Sequence, residues 1–337
     1  MTKVVAIGAG RMGRGIAQVF AYAGYSVTII DLKARDELAR GKLFDNALNE
    51  IQENLQFIAG EGVFRPTEIP AILDRINMVG REDAGLAIDE CDVIFEGVPE
   101  TIPAKQAALK FVSDHSGPET IIASTTSTIL VDTLAEFVKY PERFINAHWL
   151  NPAYLVPLVE VSPGQHTSAQ TTNRLKTLLE EIGKVPVVCK ASPGFIVPRI
   201  QSLVMNEAAR MVEEGVARAE DIDKAVRVGM GLRFATMGPI EFIDWGGGDI
   251  LYHASRYLSE ALQSDRFSAP EVINRNMESG AIGMGAGRGF YDFEAMDVEE
   301  YRRDILSRFI SQLRHLELLT VPYHAEDKRD EEAHLAV

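Results

Sequence analysis

Cysteine is scarce. Only Cys91 and Cys189 occur in 337 residues, far apart and without metal-ligand spacing. That leaves no basis for a disulfide framework or a cysteine metal site, and it fits free, mostly buried thiols in a reducing cytosol. Positive charge is also short. Against 49 Asp and Glu stand 34 Lys and Arg, a formal net charge of −15, which argues against nucleic acid or an anionic membrane as partner. Any polyphosphate ligand must then rely on helix N-termini or a few local cations. No apolar run approaches the roughly 20 residues that span a bilayer. The chain enters a strand at once, Val4-Val5-Ala6-Ile7, so no signal peptide is expected. Repeats and low-complexity tracts are absent. The expectation is a cytoplasmic protein with no metal.

What is present is ordinary in bulk, with 46% hydrophobic and 25% charged residues, and a chain of this length suggests two domains, each with its own core. The first strand runs into Gly8-Ala9-Gly10-Arg11-Met12-Gly13 and then into the helical Arg14 to Phe20. A second strand, Ser26 to Ile30, ends at Asp31. Gly-x-Gly-x-x-Gly alone is a weak match. Following a strand, opening a helix and preceding an acid by about twenty residues, it reads as a dinucleotide site on a Rossmann-type doubly wound α/β sheet. Gly8 makes the turn, Gly10 admits the pyrophosphate, and Gly13 lets helix and strand pack closely. The pyrophosphate then rests on the helix N-terminus, with first-turn contacts from Arg11 and Met12. Asp31 would accept from the adenosine ribose and repel a 2′-phosphate, favouring NAD over NADP, although Lys33 and Arg35 lie nearby.

The chemistry-bearing stretch runs from His148 to Glu160. His148 follows the apolar run Phe144 to Ala147, and an Asn151-Pro152 break comes next. Glu160 lies in an apolar strand, where an unpaired charge costs several kcal/mol. Either Glu160 faces solvent and His148 is a core residue, or the two form a pair. Hydride removal from a carbon bearing a hydroxyl requires a base for the hydroxyl proton. Histidine suits that role, and a carboxylate fixes its tautomer. Among the seven histidines, His148 with Glu160 is the best such pair. Ser127 can serve the substrate oxygen, and Asn151 the nicotinamide or the substrate carbonyl.

The remaining pattern predicts helices over 36–59 and after Arg65-Pro66, forming a hairpin between strands. Strands follow near Ile76 to Val79, Cys91 to Glu96, Thr120 to Ala123 and Arg143 to Ala147, the last delivering His148 to the sheet edge. Gly97 to Glu100 and Ser124 to Thr128 cluster at strand ends, where ligands of open α/β sheets bind. A helix over 168–182 and a strand over 185–189 complete a mixed sheet. The NAD-binding domain is expected over 1–191 and a smaller all-α domain over 192–320. A polar tail over 321–337 is expected to be disordered.

The chain resembles the 3-hydroxyacyl-CoA dehydrogenase family along nearly its whole length, to about Phe293. The matching stretches are Gly8 to Ala17, Glu96 to Lys105, Ser124 to Thr128, His148 to Pro152, Leu158 to Val161, Pro193 to Ile196, Gly238 to Glu241 and Gly287 to Tyr291. The resemblance implies His148 as base with Glu160 as its partner and Ser127 at the substrate oxygen. It implies NAD contacts from Asp31, Glu100, Lys105 and Asn151, and a homodimer formed through the helical domain. Two departures stand out. Pro198 occupies the position where the family usually has a substrate-bonding Asn, for which Gln201 or Asn206 is a possible substitute. The stretch 43–64, in the hairpin that the family uses to hold the CoA nucleotide, contains no Lys or Arg. A 3-hydroxyacyl-CoA is therefore the expected substrate. The runner-up is a small free 3-hydroxy acid, as for carnitine and gulonate dehydrogenases, met by Arg65, Arg199 or Arg233. Two further alternatives are a lysine-dependent hydroxyacid dehydrogenase using Lys190, and an NAD-binding protein without activity.

Overall fold

The computed structural model describes residues 2–319, so the stretch 321–337 lies outside the described residues. The chain divides into two compact units, one through Asn206 and a second from Glu207 onward.

The first unit is built on one eight-stranded sheet. In chain order its strands are β1 (Val4–Ile7), β2 (Val27–Asp31), β3 (Ile76–Gly80), β4 (Val93–Glu96), β5 (Ile121–Ser124), β6 (Phe144–Trp149), β7 (Leu158–Pro163) and β8 (Val185–Val188). Their order across the sheet is β3-β2-β1-β4-β5-β6-β7-β8, and only the β6–β7 pairing is antiparallel. The helices are α1 (Arg11–Tyr22), α2 (Glu37–Gly60), α3 (Ile69–Leu73), α4 (Ala84–Asp89), α5 (Ile102–His115), α6 (Val131–Ala135), α7 (Ala169–Glu181) and α8 (Val197–Glu213), which continues past the unit boundary. Central strands are buried on both faces, as parallel sheets require. Val4 and Ala6 of β1 join the core on one side, Val5 and Ile7 the core on the other. Helix starts carry the expected acceptors: Asp36 takes the Ala39 N–H at 2.7 Å, and Ser168 takes that of Thr171 at 3.0 Å.

The doubly wound reading holds, with local corrections. Strand β6 runs to Trp149, so His148 lies inside it. The cause is the antiparallel partner, which pairs Ala147, His148 and Trp149 with Val161, Glu160 and Val159. The second arm of the hairpin is a 3₁₀ turn, Pro66–Glu68, leading into the five-residue α3. Helix α4 was not anticipated. Its six residues are too few to establish a helical period.

The second unit is helical: α9 (Ala219–Ala225), α10 (Leu232–Thr236), α11 (Pro239–Gly246), α12 (Gly248–Ala261), α13 (Glu271–Ser279) and α14 (Val298–His315). Between α9 and α10 the ladder widens to a π segment over Val226–Gly231. Gly229 and Gly231, both weak helix formers, lie in this stretch. Buried Asp244 accepts the Tyr291 N–H at 2.8 Å, so the Gly287 to Tyr291 motif is tied back to α11.

Candidate active site

The strand order reverses between β1 and β4, and open α/β sheets bind ligands in the crevice at such a point. A cavity of about 440 Å³ opens there, lined by Gly8, Gly10, Asp31, Lys33, Arg35 and Gly97 among others. Gly8 has φ +98°, in the region that favours glycine. A β-carbon on Gly13 would stand 1.9 Å from the Gly8 carbonyl oxygen, so only glycine lets α1 start this close to β1. At Gly10 a β-carbon would meet nothing within 4 Å, leaving open space over the N-terminus of α1, which has no side-chain cap. Arg11 is exposed in that first turn, while Met12 packs on the core. Asp31 is 5% exposed, and Arg35 donates to its Oδ2 at 2.5 Å. Arg14 is held by the Ala9 carbonyl and by Glu50 of α2. Open backbone at a helix N-terminus with an acid at the end of β2 fits a dinucleotide with a free ribose diol.

Along the sheet edge, Glu100, Lys105 and Ser127 form one network. Glu100 Oε1 accepts the backbone N–H groups of Ser127 at 2.9 Å and Thr128 at 3.1 Å, together with the Thr126 and Thr128 hydroxyls. Its Oε2 lies 3.3 Å from Lys105 Nζ. Partial burial alone would raise the Glu100 pKa, but the Thr126 hydroxyl, the Lys105 ammonium and Thr128 together hold it below the ordinary carboxylate value. Ser127 itself is exposed. Lys105 is 1% exposed and also pairs with Glu96, which is 0% exposed, at 3.1 Å. Glu96 further accepts the Ser124 hydroxyl at 2.6 Å and the Val98 N–H at 2.8 Å. Sequence reasoning missed Glu96. The signal was available, since Glu96 ends an apolar strand much as Glu160 interrupts one.

His148 and Glu160 stand opposite each other in the β6–β7 ladder. His148 Nδ1 lies 2.8 Å from Glu160 Oε2, and the imidazole stacks on Phe195 with ring centroids 5.4 Å apart. Glu160 is fully buried, and its Oε1 accepts the N–H groups of Ile196 and Val197, each at 2.8 Å. Both backbone partners are donors, so Glu160 acts as acceptor, and the histidine proton belongs on Nδ1. Nε2 then carries the lone pair. Asn151 is exposed at the start of the β6–β7 connection. Pro198 is the second residue of α8 and follows directly on the two N–H groups aimed at Glu160. Arg65 is held by Glu68, while Arg233 sits in the second unit, where it bonds the Gly229 carbonyl.

Known proteins match nearly the whole chain. Residues 3–192 match the family model described as 3-hydroxyacyl-CoA dehydrogenase, NAD binding domain, and residues 194–293 match that of its C-terminal domain. The 5-formyl-3-hydroxy-2-methylpyridine 4-carboxylate 5-dehydrogenase of Mesorhizobium japonicum is 31% identical over 93% of this chain and 98% of its own length. A probable 3-hydroxybutyryl-CoA dehydrogenase of Bacillus subtilis is 31% identical over 87% of this chain and 97% of its own. The crystal structure of an Archaeoglobus fulgidus 3-hydroxyacyl-CoA dehydrogenase superposes with a TM-score of 0.73 at 32% identity, covering 95% of this chain and all of that one. The chain belongs to the 3-hydroxyacyl-CoA dehydrogenase family of NAD-dependent oxidoreductases.

Proposed function

We propose that the protein interconverts a 3-hydroxyacyl-CoA and the 3-oxoacyl-CoA. The observation that carries this is the His148–Glu160 pair, held by a ladder register and by two backbone N–H groups. Bound NAD supplies the hydride acceptor. The chain's own residues manage the proton. With Nδ1 committed to Glu160, His148 Nε2 takes the proton of the substrate hydroxyl, and the buried carboxylate stabilises the imidazolium that forms. Ser127, on a loop fixed by Glu100, bonds the substrate oxygen. Gly8, Gly10, Gly13 and Asp31 hold the dinucleotide, and Glu100, Lys105 and Asn151 serve its nicotinamide end.

The family match over both domains supports a thioester substrate. A second reading, the same chemistry on a small free hydroxy acid, is favoured by two features of this chain. Pro198 has no N–H and no polar side chain to offer a substrate, and α2 lacks cations from Leu43 onward, where a CoA phosphate would need them. The pyridine carboxylate dehydrogenase that matches 93% of this chain points the same way. Steady-state assays with 3-hydroxybutyryl-CoA and with free 3-hydroxy acids decide between the two. Turnover of the thioester supports the first reading, and activity confined to free acids overturns it. We place the enzyme in the cytoplasm as a homodimer. Exposed Ile200 and Leu203, three residues apart on α8 and 47% and 62% accessible, support a buried partner face there.

A further inference from the structure

Lys184 is a buried cation that the proton-transfer scheme leaves unused. It precedes β8, is 7% exposed, and forms no ion pair among the described residues. Its ammonium instead donates to the Ala153 carbonyl at 2.5 Å and the Val156 carbonyl at 2.9 Å, and lies 5.5 Å from the centroid of the Trp149 ring. Burying a charge without a carboxylate is costly unless its donors are satisfied, so a position that retains one asks for a reason.

The reason lies in what those carbonyls belong to. Residues 150–157 connect the end of β6, just past His148, to β7, which carries Glu160. The connection begins with Leu150 and Asn151, then lies against α1: a β-carbon on Gly15 would stand 3.0 Å from that of Ala153. It is tied on its outer side by Tyr154, whose hydroxyl donates to Asn54 of α2 at 3.1 Å, and Asn54 in turn reaches Gln18 of α1. On its inner side the side-chain ties are those of Lys184. The helix that opens at the glycine loop and the strand that carries the base are therefore joined through this segment.

We propose that Lys184 is a positioning residue for the reaction, its ammonium fixing the 150–157 connection and thereby the placement of His148 and Asn151 beside α1. The proposal rests on the reading of His148 as base given above. Burial pushes the lysine down to about 8. Titratable side chains on the packed elements are committed elsewhere: His148 of β6 and Glu160 of β7 to each other, Tyr154 to Asn54, Glu180 and Glu181 of α7 to Lys176 and Tyr25, and Arg14 of α1 to Glu50. Neutralisation weakens both carbonyl bonds, since charge-assisted bonds are the stronger kind.

Lys184→Met keeps the stem and removes the donors, while Lys184→Arg keeps both charge and donors. In the full-length protein, Lys184→Met should lower kcat roughly tenfold to a hundredfold, the scale of a small misplacement of reacting groups. The Kd for NAD should barely change, and Lys184→Arg should recover most of the loss. Wild-type kcat in Lys184→Met, or a kcat loss that merely follows the unfolded fraction in a melting curve, overturns the proposal. Should Lys184→Met fail to fold, a Trp245→Phe background leaves Trp149 as the sole tryptophan reporter. Its emission and kcat should then change with one midpoint near the lysine's pKa of about 8. Emission and kcat that stay flat from neutral to alkaline pH overturn the proposal. Failure of the underlying reading would show differently, as activity retained when His148 itself is replaced.

Discussion

Glu160 Oε1 receives the backbone N–H of Ile196 at 2.8 Å, one residue before α8 begins. The carboxylate paired with His148 therefore also serves the first N–H groups of a helix, and a substitution there disturbs both contacts. Glu160→Gln places an amide where three donors converge. It should cost about 1–3 kcal/mol of stability by leaving one of them unmatched, and lower kcat by roughly 10²-fold or more as His148 loses its tautomer. Denaturant melts and kinetics on the same preparation separate the two losses.

Gly13 and Gly10 should respond oppositely to alanine. A β-carbon at Gly13 collides with the Gly8 carbonyl at 1.9 Å, whereas one at Gly10 meets nothing within 4 Å. Gly13→Ala is expected to destabilise the fold. Gly10→Ala is expected to melt like wild type yet bind NAD weakly, because the new methyl group takes the space of the pyrophosphate. Calorimetric NAD titrations beside thermal melts test the contrast.

Glu96 and Lys105 make a buried pair, and breaking one partner should hurt more than removing both. Glu96→Gln leaves a buried ammonium short of charge, a loss of about 3–5 kcal/mol for such pairs. Glu96→Gln with Lys105→Met should recover much of the stability, but activity should be low because Glu100 then loses the Lys105 ammonium. Chemical denaturation of the two single variants and the double variant reads the difference.

Glu100 gives a pH signature. Its folded pKa lies below the ordinary value of 4.5, so the stabilisation it provides is present above that value and is lost as pH falls through the lowered one. Acid should therefore loosen the Thr126–Thr128 loop, and Glu100→Gln should remove that part of the pH dependence. Stability measured from neutral pH down to acid pH in both proteins checks the sign.

Much of this was legible in the residues because periodicity and glycine placement act locally. The glycine loop, the acid ending β2 and the alternation of strands with helices set the doubly wound sheet. Glu160 announced itself because a charge inside an apolar strand needs a partner. What stayed hidden depends on long-range pairing. The extent of β6 follows from β7, the seat of Lys105 follows from Glu96 in another element, and the satisfaction of Lys184 follows from carbonyls that a sequence does not display. On α8, Ile200 and Leu203 are 47% and 62% exposed, since helical periodicity shows that a face is apolar without showing what covers it.

The proposed reaction depends on His148 taking the proton when hydride leaves the substrate carbon. Single-turnover formation of NADH, with the NAD affinity measured in parallel, tests it most directly in His148→Ala. A loss of roughly 10²–10⁴-fold in the hydride-transfer step is expected, with NAD binding retained. Transfer at the wild-type rate in that variant would contradict it.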